Sequence, residues 1–140
     1  MTEKEIHEIC EKAVSMREKS YAPYSHFRVG AALLGKDGKV YTGCNIENAA
    51  FSVSNCAERT ALFKAVSEGE HDFQALAIAG GPENGRLQYC TPCGVCRQAL
   101  EEFCPPDFPV YLAKSGTDYQ KYELRQLLPE GFGGKNLQGE

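Results

Sequence analysis

The chain has no apolar run approaching the ~18 residues of a membrane-spanning helix. Its first residues, Met1-Thr2-Glu3-Lys4-Glu5, are charged and lead into a mixed segment. The apolar stretch of a secretory signal is missing there. Positive charge is not in excess either: 15 lysines and arginines stand against 19 acidic residues, a formal net charge of -4. That balance does not favour polyanions, so neither a nucleic-acid nor a membrane partner is expected. Internal repeats and domain-splitting linkers are absent, so residues 1–140 are expected to form one domain around one core. Without export, the protein is expected to stay in the reducing cytoplasm.

Seven cysteines are present, at positions 10, 44, 56, 90, 93, 96 and 104. An odd count without a signal peptide argues against a disulfide framework. Cytosolic cysteines serve instead as small buried hydrophobes, metal ligands or nucleophiles, and their spacing must sort them.

Thr2-Glu3-Lys4-Glu5 reads as a capping box. Ile6, Ile9, Cys10, Ala13 and Val14 follow at helical spacing, which predicts a helix over 3–19. Pro23 breaks the chain into a loop at 21–25. Two β-tolerant runs, 27–34 and 39–46, flank Asp37-Gly38, a hairpin signal. Helix formers fill 57–68, with Gly69 placed as the residue just past the end. A short strand is expected at 75–79, stopped by Gly80-Gly81-Pro82. A helix is expected at 94–103, ended by Pro105-Pro106, then a strand at 110–113 and a last helix at 119–128 before Pro129. The tail from Gly131 is Gly-rich and expected to be mobile in part. Helices and strands in the order α-β-β-α-β-α-β-α suggest an α/β fold with a mixed sheet covered by helices.

The informative pattern is Cys56-Ala57-Glu58 followed by Pro92-Cys93-Gly94-Val95-Cys96. A C-x-x-C pair can bring two thiolates onto one tetrahedral ion, and Cys56 can supply a third. Both segments fall at helix N-termini, where unpaired N–H groups and the helix dipole stabilise anions and lower thiol pKa values. Three thiolates on Zn²⁺ still leave a formal charge of −1. Arg59, three residues past Cys56, is placed to offset it, and Arg97, beside Cys96, is a second candidate. Cys10, Cys44, Cys90 and Cys104 read as packing residues, Cys90 least clearly because it lies near the metal pair.

These segments resemble the cytidine deaminase family. Its zinc signature has a three-cysteine form, matched here by Cys56-Ala57-Glu58 and Pro92-Cys93-Gly94-Val95-Cys96. The likeness continues through Tyr21-Ala22-Pro23-Tyr24-Ser25, Phe27-Arg28-Val29-Gly30-Ala31-Ala32, Gly43-Cys44-Asn45-Ile46-Glu47-Asn48-Ala49, Arg59-Thr60-Ala61, Arg97-Gln98 and Leu127-Leu128-Pro129, about residues 5–133 in all. It is similar to the small homotetrameric members. The resemblance implies a three-layer α/β/α sandwich around a mixed five-stranded sheet and one zinc ion per subunit. It implies deamination of cytidine and 2′-deoxycytidine to the uridine products in pyrimidine salvage, and a homotetramer with shared active sites. By position, Cys56, Cys93 and Cys96 would hold the metal. Phe27 would pack near base and sugar, Asn45 and Glu47 would bind ribose hydroxyls, and the Ala57 N–H would meet the base carbonyl. Phe132 would reach a neighbouring subunit's site. Phe51, where Tyr is common, and Thr91, where Ser is usual, depart from the pattern.

The chemistry agrees. Attack at C4 needs hydroxide at neutral pH, which a metal-bound water supplies. Protons must also reach the ring nitrogen and then the leaving amine, and one carboxyl group can carry both. Glu58, two residues past a ligand at a helix start, can face the metal without binding it. Asn45 and Glu47 alternate on a strand end and so point to one side. Two other readings stand beside this one. A purely structural zinc site would need a fourth protein ligand, with Cys90, Cys44 and His26 nearest. A deaminase of nucleic acid or of another aminated heterocycle would need, for nucleic acid, a basic surface that the composition lacks.

Overall fold

Two antiparallel strands and an amphipathic helix begin the fold of the computed structural model, which describes residues 1–138. Helix α1 (Glu3–Met16) opens with the expected capping box: Glu5 N donates to Thr2 Oγ1 and Thr2 N to Glu5 Oε1. It ends three residues earlier than its apolar stripe predicts, because Arg17–Lys19 tightens into a 3₁₀ turn. Strands β1 (Phe27–Gly35) and β2 (Val40–Cys44) pair antiparallel across the Asp37-Gly38 turn, with Gly38 at φ 87°. Helix α2 (Ala57–Ser67) stops at Gly69, whose φ of 95° suits a glycine past a helix end.

Strand β3 (Phe73–Pro82) is twice as long as expected. Gly80-Gly81-Pro82 does not stop it, because β1 offers partners all the way to Phe27. Helix α3 (Gly94–Phe103) carries the chain over to β4 (Pro109–Ala113), which lies parallel to β3. The largest departure is at 119–128. Residues Tyr119–Glu123 form β5, antiparallel to β4, and only Leu124–Leu127 is helical, a single turn we call α4. Ser115 makes the reversal by accepting from the N–H groups of Thr117 and Asp118. Tyr119 then packs edge-on against Tyr111 of β4. A second single-turn helix, α5 (Gly134–Leu137), lies in the tail.

The sheet order is β2-β1-β3-β4-β5. Strand alternation divides the core in two. Leu33, Leu76, Ile78, Val110 and Leu112 face α2 and α3. Ala32, Ala75, Ala77, Ala79 and Tyr111 face α1 through Ile9, Cys10 and Ala13. The result is the α/β/α sandwich around a mixed five-stranded sheet. No helix among the described residues is long and apolar enough to cross a membrane.

Gly43 sets the height of α2. A Cβ there would lie 2.5 Å from the Ala57 carbonyl and from the Ala61 N. The N-terminus of α2 therefore rests directly on β2, and Cys56 just before it is fixed by backbone contact. Gly43→Ala is expected to destabilise the fold by about 1–3 kcal/mol, the usual cost of overpacking, and to reduce zinc retention. Thermal melting and metal analysis of the purified variant check both.

Candidate active site

Two helix starts meet at the cysteines. Cys56 is the N-cap of α2, Cys93 is the N-cap of α3, and Cys96 lies in the first turn of α3. Their sulfurs lie within 4.8 Å of one another, with Cys56 and Cys93 3.6 Å apart. Thiolates about 2.3 Å from a tetrahedral zinc stand ~3.8 Å from each other, so the donor set fits in spacing and in softness. Among the described residues this group has three members. Cys44 instead donates to the Lys19 carbonyl, and His26 faces Glu83. Cys90 packs at Gly80, and burial pushes its thiol up to about 11.

Electrostatics at the cluster are uneven. The Cys96 thiol donates to Cys56, the Arg59 guanidinium adds to it, and Cys56 falls to about 5 in spite of burial. Cys96 is raised, first by that same hydrogen bond and then by burial. Cys56 also caps the N-terminus of α2, where the helix dipole favours its thiolate. Arg59 Nη2 lies 3.5 Å from the Cys56 sulfur, while its buried Nε has no partner. Arg97 does not share this task. Its Nε donates to the Pro92 carbonyl at 2.7 Å and its Nη1 to the Leu127 carbonyl at 2.6 Å. It braces the turn that presents Cys93, a role with no local signal in the sequence.

Glu58 sits in the first turn of α2 and is only 5% exposed. Desolvation, with the Cys56 thiolate adding to it, pushes its carboxyl up to about 7. A carboxyl there can hold or release a proton near neutrality. Ala57 is buried at the first position of the same helix, so its N–H has no partner within the helix.

An isolated antiparallel bridge between Ile46 and Asn55 joins the metal loop to the end of β2. It sets Asn45 beside Cys56 and Glu47 beside Ser54. Asn45 is deeply engaged. Its Oδ1 accepts from Val29 N and from Ser20 Oγ, and its Nδ2 donates to the Phe27 carbonyl at 2.8 Å. One N–H remains free by count of donors. Glu47 accepts from Tyr24 N at 3.0 Å, Ser25 N at 3.1 Å and the Ser25 hydroxyl. Tyr24, Ser25, Glu47, Phe51 and Ser54 line a cavity of about 370 Å³. The supporting roles of Ser20 and Ser25 were not legible in the sequence, because both partners lie over 20 residues away.

Phe27 is half-buried, and its ring edge would lie 3.3 Å from a Cβ at Gly80. The Phe132 ring is exposed, and its carbonyl accepts from Gln98 of α3. Phe51 is 74% exposed and meets Tyr24 edge-on, and Thr91 is exposed. Cys10, Cys44 and Cys104 are buried packing residues. A larger cavity of about 810 Å³ lies against α1, but its Arg17 and Arg28 are already bound to backbone carbonyls and Glu83.

Residues 3–112 match the family model described as the cytidine and deoxycytidylate deaminase zinc-binding region. The chain is 46% identical over 133 residues to a cytidine deaminase of Sporosarcina psychrophila, covering 95% of each. It is 46% identical over 129 residues to one from Halalkalibacterium halodurans, covering 92% of this chain and 95% of that protein. A solved cytidine deaminase from Burkholderia pseudomallei superposes with a TM-score of 0.79 at 44% identity, over 94% of this chain and 100% of that one.

Proposed function

The chain belongs to the cytidine and deoxycytidylate deaminase zinc-binding family, and we propose that it hydrolyses cytidine and 2′-deoxycytidine to uridine and 2′-deoxyuridine with release of ammonia. The observation that carries this is a cluster of three cysteine sulfurs, among the described residues one donor short of a closed site, with a buried carboxyl two residues from Cys56. Cys56, Cys93 and Cys96 would hold one zinc ion. Zinc supplies Lewis acidity that brings the pKa of a water near neutrality.

The chain's own residues do the rest. The Glu58 carboxylate takes the proton of the attacking water and passes it to the ring nitrogen next to C4. It then serves the departing amine, so that water and nucleoside give uridine and ammonia. A carboxyl held near 7 suits both directions of transfer. The Ala57 N–H donates to the base carbonyl. The free N–H of Asn45 and the carboxylate of Glu47 meet the sugar hydroxyls, and Phe27 packs beside them. Arg59 offsets the excess charge of the thiolates.

We further read the protein as a single-domain homotetramer with shared sites, in which Phe132 of one subunit enters a neighbour's pocket. Exposed Phe51, Val53, Val95 and Phe132 supply apolar surface that such contacts would cover. A reducing, cytoplasmic setting suits seven free cysteines.

The test mixes purified zinc-loaded protein with cytidine and follows ammonia release. Turnover is expected, and its absence would overturn the reading. A 3′-phosphate would stand against the Glu47 carboxylate. Cytidine 3′-monophosphate is therefore expected to show kcat/KM lower by on the order of 100-fold, from charge repulsion at contact distance. Equal turnover of the two would remove Glu47 from the sugar site.

A further inference from the structure

The loop before β1 has a backbone that needs holding. His26 lies in the left-handed region with φ of 56°, a conformation that costs a non-glycine residue about 1 kcal/mol or more. The reversal there turns Ser25 toward Glu47 and Phe27 into β1. Ser25 Oγ joins the two, donating to the Glu47 carboxylate and accepting from Phe27 N at 3.0 Å.

Glu83, the residue just past β3, grips this turn. Its backbone N–H donates to the His26 carbonyl at 2.7 Å. Its Oε2 faces His26 Nδ1 at 3.3 Å, and its Oε1 accepts from Arg28 Nη2 at 2.7 Å and Nε at 3.2 Å. Arg28 Nη1 in turn reaches the carbonyls of Arg17, Glu18 and Ser20. One carboxylate therefore ties the residues on either side of Phe27, and Ser20 leads on to Asn45. The His26 and Glu83 side chains are 66% and 36% exposed, and exposed ion pairs add little to stability. What the tie fixes is direction: it holds the reversal that aims Ser25 at Glu47.

We propose that Glu83 is a positioning residue for sugar recognition, holding the His26 turn so that Ser25 keeps Glu47 facing the sugar hydroxyls in register. This rests on the reading of Glu47 as a ligand of the sugar hydroxyls. Glu83 touches no substrate and acts only through His26, Arg28 and Ser25.

The experiment compares cytidine with 2′,3′-dideoxycytidine, which lacks both hydroxyls, as kcat/KM of the zinc-loaded enzyme. Glu83→Ala is expected to lower the cytidine value by on the order of three- to tenfold through KM, with kcat within about twofold. The dideoxy value is expected to stay within about twofold. Glu83→Gln, which keeps an acceptor for Arg28, is expected to lose less. Equal losses on both substrates would mean that Glu83 only supports the hairpin, and no loss on cytidine would mean that it positions nothing; either result overturns the proposal. Glu47→Gln is run alongside. If it discriminates between the substrates while Glu83→Ala does not, the sugar reading stands and the positioning role alone falls. If Glu47→Gln treats the two alike, both fall.

Discussion

Glu58→Gln is expected to lower kcat for cytidine by on the order of 10³, within the range that a well-placed acid–base group supplies. Zinc content should remain at one ion per chain, because Glu58 is not among the three clustered ligands. The amide matches the carboxyl in size, so the packing around a side chain 5% exposed is kept. It can still donate one hydrogen bond toward the ring nitrogen. It cannot accept the proton of the attacking water, and that step has no other base in the cluster: Cys56 would be committed to the metal and Arg59 is cationic. KM should change far less than kcat. Initial rates of ammonia release and metal analysis of the same sample decide the matter. A variant that kept more than about a tenth of wild-type kcat would place the proton transfer elsewhere.

Removing Cys96 is expected to abolish zinc binding and activity together. Its side chain is fully buried beside Cys56 and Cys93, and Cys44 and Cys90 are turned to other contacts. Zinc affinity of Cys96→Ala should fall by more than about 100-fold, the loss that even an indirect partner of a ligand can cause. Circular dichroism should show the helices retained, because the two apolar clusters that flank the sheet include none of the three cysteines. A sign follows for the wild type. The thiol of Cys96 is raised beside the Cys56 thiolate and must lose its proton to ligate. Apparent zinc affinity should therefore rise with pH across the neutral range, as competition with a metal-binding dye would record. Full zinc retention by Cys96→Ala would break the three-thiolate assignment.

Much of the site was legible because its signals are local. Three cysteines and one glutamate lie within two short segments, and each segment opens a helix. The Thr2–Glu5 capping box, the Asp37-Gly38 turn and Gly69 are short-range features of the same kind. Arg59 needed only its distance from Cys56 along one helical turn. The strand at Tyr119–Glu123 was not legible. Tyr-Gln-Lys-Tyr-Glu is polar enough for a helix surface, and only pairing with β4 and the Tyr119–Tyr111 contact make it a strand. The extension of β3 through Gly80 and Gly81 likewise came from the length of β1.

The amino-acid order alone determined the metal chemistry: soft donors at C-x-x-C spacing, a third at another helix start, and a carboxyl two residues on. Tertiary structure decided what each partner is free to do. It took Arg97 away from the thiolates and bound it to the Pro92 and Leu127 carbonyls. Most of Asn45 was drawn into the β1 backbone, and Glu47 was fastened to Ser25. The physical reason is range. Ligand sets and helix caps are satisfied within a turn or two of chain. A hydrogen-bond donor or acceptor with no near neighbour is claimed by whichever backbone group the folded sheet brings to it.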